Sequence, residues 1–94
     1  MTVKLTNYDP AKALDSQEAI DIFLNDAFET ENPKHIAEAL GIIARSKGMS
    51  NISKDTMLNR EQLYKTLSKE GNPTITTVIK VMKTMGLTLT FKHS

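Results

Sequence analysis

The sequence predicts an all-α domain of about five helices closed by a short C-terminal β-strand. Three observations point there. Apolar residues recur at helical spacing in successive segments, and the breaks between segments fall at Gly, Pro and Asn. The period shortens to two only at LTLTF, residues 87–91. At 94 residues the chain is one domain, or one domain with an arm. A chain this size buries about two-thirds or less of its unfolded surface, so a partner can add materially to its stability.

TVKL, residues 2–5, alternates weakly, and NYDP after it reads as a turn. Asp15 with Glu18 three residues on reads as a capping box. The helix it opens sets Ile20, Phe23, Leu24, Ala27 and Phe28 in one apolar stripe, with Asp21, Asn25, Asp26 and Glu29 on other faces. Asn32-Pro33 opens the second helix, since proline's missing N–H costs nothing at the first helical position. Ile36, Leu40, Ile43 and Ala44 form its inner face, and Lys47-Gly48 stops it.

Two short helices follow, over 51–57 and 60–69, the first capped by Ser50 and the second by Asn59, with Gln62 three residues on. Leu63 and Leu67 point the second of them inward. Gly71-Asn72-Pro73 is a turn, and Thr74 caps a fifth helix with Ile75, Val78, Ile79, Met82 and Met85 inward and Gly86 at its end. Leu87, Leu89 and Phe91 then alternate with Thr88, Thr90 and Lys92. A lone strand is an unpaired edge, so this one needs another segment of the chain, a second copy or a different protein. Residues 1–32 read as an arm and acidic helix, and residues 33–94 as the main domain.

The net charge of +1 conceals two unequal parts. Residues 1–32 carry two lysines against seven carboxylates, a net of −5; residues 33–94 carry ten Lys or Arg against four carboxylates, a net of +6. Such asymmetry suggests two different partners, one of them a polyanion. There is no cysteine, which excludes disulfides and thiolate metal sites. His35 and His93 stand apart with no paired carboxylate, and no Gly-rich phosphate loop or nucleophile signature occurs. We therefore expect no metal, no cofactor and no catalysis. The apolar runs are too short to span a bilayer and the first residues lack a signal-peptide core, so the expectation is a cytoplasmic protein with no membrane partner.

Two short helices joined by a tight turn, with a further packing helix behind them, make a helix-turn-helix. In such a unit the second helix enters the major groove of DNA and its first residues meet base edges. Here that helix begins NREQLYKTLSK. With Leu63 and Leu67 inward, Arg60, Glu61, Gln62, Lys65 and Lys69 face outward and Tyr64 lies on the border. Arg60 can bond guanine in two places and Gln62 adenine. Lys65, Lys69, Lys54 and Lys47 suit phosphates, as do the backbone N–H groups near Ser50 and Asn59.

The stretch GMSNISKDTMLNREQLYKTLSKEGNPTITTVIKVMKTMGLTL resembles the DNA-binding half of the addiction-module antidote family, the HigA-like antitoxins with an Xre-type helix-turn-helix. The resemblance continues upstream through NYDPAKAL, IDIFLNDAFE and PKHIAEALGIIARSKG. It implies a lambda-repressor-like fold, a dimer that represses its own operon at a double-stranded DNA operator, and neutralisation of a small RelE-like toxin. It also implies DNA contact at Asn51, Asn59, Arg60, Gln62, Tyr64 and Lys65, to which the charge reading adds Lys54 and Lys69. Asp21, Asp26 and Glu29 offer an anionic surface to the cognate toxin, or form the wet face of the first helix. Leu87, Leu89 and Phe91 are candidates for pairing across the dimer axis.

Two positions depart from the family pattern. Met57 stands where glycine is usual and a positive φ is needed, and Ser53 stands where a small alanine is usual, so its hydroxyl needs a backbone carbonyl to bond. Two other readings share these elements: a stand-alone helix-turn-helix repressor with no toxin, and a protein-interaction domain that does not bind DNA.

Overall fold

A computed structural model describes residues 16–93. Five helices make up its regular structure: α1 (Gln17–Glu29), α2 (Pro33–Lys47), α3 (Met49–Thr56), α4 (Arg60–Thr66) and α5 (Ile75–Thr84). The expectations for TVKL, NYDP and Asp15 lie outside the described residues. The cap of α1 is Ser16, in extended backbone, whose hydroxyl accepts from the Ala19 N–H at 3.1 Å. Ser16, not the expected Asp15, thus caps this helix, while three expected caps form. Asn32 accepts from Lys34, Asn59 from Gln62 and Thr74 from Thr77, each through its side-chain oxygen to a backbone N–H of the first turn. One does not. Helix α3 begins at Met49 behind Gly48, with no side chain capping it, so Ser50 lies inside the first turn with its hydroxyl free for another use.

Helix α2 is the centre of the fold and packs against the other four helices. Leu40, Ile43 and Ala44 on it are fully buried. Around them stand Ile20 and Leu24 from α1, Met49 and Ile52 from α3, and Leu63 and Leu67 from α4 and its cap. Such a packing face decides whether α4 exists at all. Seven residues are too few for a helix that stands alone in water, whereas burying two leucines contributes about 3–6 kcal/mol together. Helix α4 also ends three residues earlier than its sequence suggests, at Thr66, so Lys69 follows it in a turn rather than lying on it. The Thr66 hydroxyl donates to the Gln62 carbonyl, a bond that competes with the backbone ladder where the helix stops.

Helix α5 is rotated from its expected orientation. Val78, Met82 and Met85 are buried as the spacing predicts, but Val81 is fully buried, while Ile75 is 63% and Ile79 is 39% exposed. The inner stripe runs 78, 81, 82, 85. Packing against both α2 and α3 selects this stripe over the alternative one.

LTLTF does not form a strand. Residues 87–93 run without regular structure, and no strand occurs among the described residues. Its alternation survives all the same. Leu87 and Leu89 are partly buried against the core and Thr88 and Thr90 face solvent. A strand is defined by ladder hydrogen bonds, and the described residues offer no second extended segment to supply them.

Candidate functional site

The turn between α3 and α4 sets the relation of the two helices. Met57 takes the left-handed conformation, φ 61° and ψ 26°, at the position where glycine was missing from the pattern. Its side chain is 90% exposed, so the backbone and not the side chain makes the bend. Two hydroxyls hold the bend. Ser53 donates to the Leu58 carbonyl, the acceptor its position called for. Buried Thr56 donates to the Ile52 carbonyl at 2.7 Å and accepts from the Leu58 N–H at 3.3 Å. Leu58 thus has both backbone groups satisfied by side chains of α3.

A second contact sets α4 against α2. A Cβ built on Gly41 would lie 1.9 Å from the Leu67 carbonyl oxygen, so only glycine lets α2 approach the end of α4 this closely. Helix α4 is therefore fixed at its start by the Met57 turn and at its end by Gly41. Both constraints come from backbone geometry.

On this frame Asn51, Lys54, Asn59, Arg60, Gln62, Tyr64, Lys65 and Lys69 are all exposed. Three of them also bond within the chain. The Asn51 amide donates to the Lys47 carbonyl at 3.4 Å across the α2–α3 junction. Asn59 caps α4 through Oδ1, at 3.1 Å from the Gln62 N–H. Arg60 donates from Nη1 to the Ser50 hydroxyl at 3.0 Å, and its Cζ lies 6.0 Å from the centre of the Tyr64 ring. That distance is the outer limit of a cation–π contact. The guanidinium is thus steered by one group from each helix of the pair and keeps its remaining N–H groups for an outside acceptor. Gln62, Lys65 and Lys54 have no partner through their side chains among the described residues and remain free for a polyanion. Ser50 is the member that sequence reasoning assigned a different role. The signal for it is the facing of two helix starts, which emerges only once the turn is placed.

These elements set two short helices at a tight turn, with a cationic, hydrogen-bonding outer edge. Residues 4–93 match the family described as "probable addiction module antidote protein". The chain belongs to this family. A curated relative from Haemophilus influenzae, named only as an uncharacterized protein, is 45% identical over 94 residues, which is all of this chain and 97% of the relative. No solved structure matches the chain.

Membership in the antidote family implies a cognate toxin as partner, and the acidic helix is where that partner was expected. The structure divides the three carboxylates named for it. Asp21 and Glu29 stand on the rim of a groove of about 430 Å³ between α1 and residues 87–92. Asp26 faces a separate depression between α1 and α2, shared with His35 and Glu38. Of the three residues named for dimer pairing, Leu87 and Leu89 are partly buried against the chain's own core, and Phe91 is 88% exposed. No helix among the described residues is long and apolar enough to cross a membrane.

Proposed function

We propose that this antidote protein is a cytoplasmic, non-enzymatic antitoxin that neutralises a small RelE-like toxin and represses its own operon through an Xre-type, HigA-like helix-turn-helix. What carries the DNA-binding half is the outer edge of α4, where Arg60, Gln62, Tyr64 and Lys65 are all exposed on a helix fixed at both ends by backbone geometry. Arg60 and Gln62 are the base readers, Arg60 for guanine and Gln62 for adenine. Lys54, Lys65 and Lys69 meet phosphates and set the register. Asn51 and Asn59 add polar contacts while holding the starts of α3 and α4.

Repressors of this build act as dimers, with recognition helices about 34 Å apart on a palindromic operator. Ile75 and Ile79, four residues apart on the outer face of α5, give a second copy an apolar patch to pack on. The toxin-binding half rests on family membership and on the carboxylates of α1.

A gel shift with the DNA upstream of the chain's own reading frame, run at two salt concentrations, tests the DNA-binding half. The expected result is a retarded, sequence-specific complex that weakens steeply as salt rises. Equal affinity for scrambled DNA would overturn sequence-specific repression, and no affinity for either would leave a protein-interaction domain as the better reading.

A further inference from the structure

We propose that the groove between α1 and residues 87–92 seats a basic, amphipathic segment of the cognate toxin. The proposal rests on the antitoxin reading and adds to it a place and a chemistry. The floor is apolar, built from Leu24, Phe28 and Met82, and Phe91 stands at its edge. Asp21 and Glu29, eight residues apart on α1, form the rim.

Charge decides the occupant. Helix α1 holds Glu18, Asp21, Asp26 and Glu29 and no cation, so a segment lying along it is favoured when it carries Lys or Arg beside its apolar side chains. Among the described residues Lys92 is the one cation lining the groove. A second copy of this chain fits less well, because a two-fold contact centred here brings one acidic α1 toward the other. The tail supplies a further anchor. Among the described residues none bonds the backbone of Thr88 to His93, and an extended segment laid beside it adds main-chain hydrogen bonds. Phe91, 88% exposed, is an aromatic side chain with its burial still to gain.

The test uses the full chain and the product of the reading frame adjacent to its own, mixed in a calorimeter at fixed salt. Three variants are compared: Asp21→Lys with Glu29→Lys, Phe91→Asp, and Glu61→Lys with Glu70→Lys as a control of equal charge change away from α1 and the groove. All five positions are exposed, so the fold should survive and circular dichroism checks it. The groove variants are expected to bind at least about tenfold more weakly, and the control within about threefold of the unaltered chain. Equal weakening by the control overturns the proposal, since general acidity then suffices. Unchanged toxin binding by Phe91→Asp, together with loss of self-association, also overturns it and gives the groove to a second copy. No binding by the unaltered chain instead overturns the antitoxin reading itself, a result separate from either of these.

Discussion

The Arg60 guanidinium donates to the Ser50 hydroxyl at 3.0 Å, joining the first turn of α4 to the first turn of α3. A long side chain that would otherwise sample many rotamers is thereby held near one geometry before any partner binds. Ordering such a side chain on binding costs roughly 0.5–1.5 kcal/mol, and Ser50 removes part of that cost beforehand. On the proposed DNA-binding function, Ser50→Ala is expected to weaken operator binding by about 1 kcal/mol or less, and Arg60→Ala, which removes the proposed base reader, by about 1–3 kcal/mol. The two effects are not additive. Once Arg60 is gone, Ser50 has nothing to hold, so the double variant should bind as Arg60→Ala does. Titration of the four proteins against one labelled operator checks this, and full additivity would mean that Ser50 acts on its own.

Much of this frame was legible in the chain. Asn32-Pro33, Asn59 and Thr74 announced their helices because each cap is a local transaction between a side chain and a backbone two or three residues on. The family pattern marked Met57 as the residue that must take a positive φ or reshape the turn, and Ser53 as one needing a carbonyl; Met57 takes the positive φ and Ser53 bonds Leu58. What failed was whatever depended on a partner distant in sequence. ITTVIKVMKTM carries six apolar residues, and two overlapping stripes satisfy a helical period equally well. Only contact with α2 and α3 buries Val81 and leaves Ile75 outside. LTLTF has the right alternation for a strand, but a strand also requires a neighbour that no local pattern encodes. The Ser50–Arg60 link joins positions ten apart and likewise appears only after both helices are placed.

Met57 holds a left-handed backbone without the freedom of glycine, a conformation costing an L-residue about 1–2 kcal/mol. Glycine removes that cost but enlarges the unfolded ensemble, an opposing effect of about 0.4–1 kcal/mol. The side chain is almost wholly exposed, so little packing is lost. Met57→Gly should therefore stabilise the domain by roughly 0.5–1 kcal/mol. In urea the midpoint should rise with the slope unchanged. Met57→Ile, β-branched at the same φ, should move it the other way.

Lys65 and Gln62 stand three residues apart on α4, both exposed, yet their losses should differ in kind. A lysine on a phosphate releases counterions and reads no sequence. Lys65→Ala should weaken specific and scrambled DNA alike and reduce the salt slope by about 1. Gln62→Ala should leave the slope intact and relax preference at one adenine. Binding isotherms over a salt series separate the two, and a sequence-dependent loss for Lys65→Ala would reassign it to the bases.

Gly41 gives a prediction whose sign reverses between propensity and packing. In the middle of a helix, replacing glycine by alanine ordinarily gains about 1 kcal/mol of helix stability. Here the added methyl would sit 1.9 Å from the Leu67 carbonyl oxygen, a backbone atom that cannot rotate away as a side chain can. Either α2 or the end of α4 must move, at an overpacking cost of about 1–3 kcal/mol or more. The packing term is the larger, so Gly41→Ala should lower the melting temperature. Because Leu67 closes α4, the proposed recognition helix, the same shift should carry Tyr64 and Lys65 out of register and reduce operator affinity at temperatures where the variant remains folded. Thermal melts followed by circular dichroism, with operator titration well below the transition, test both effects. A melting temperature that rises would mean that α2 and α4 are not held as closely as the Gly41–Leu67 approach requires.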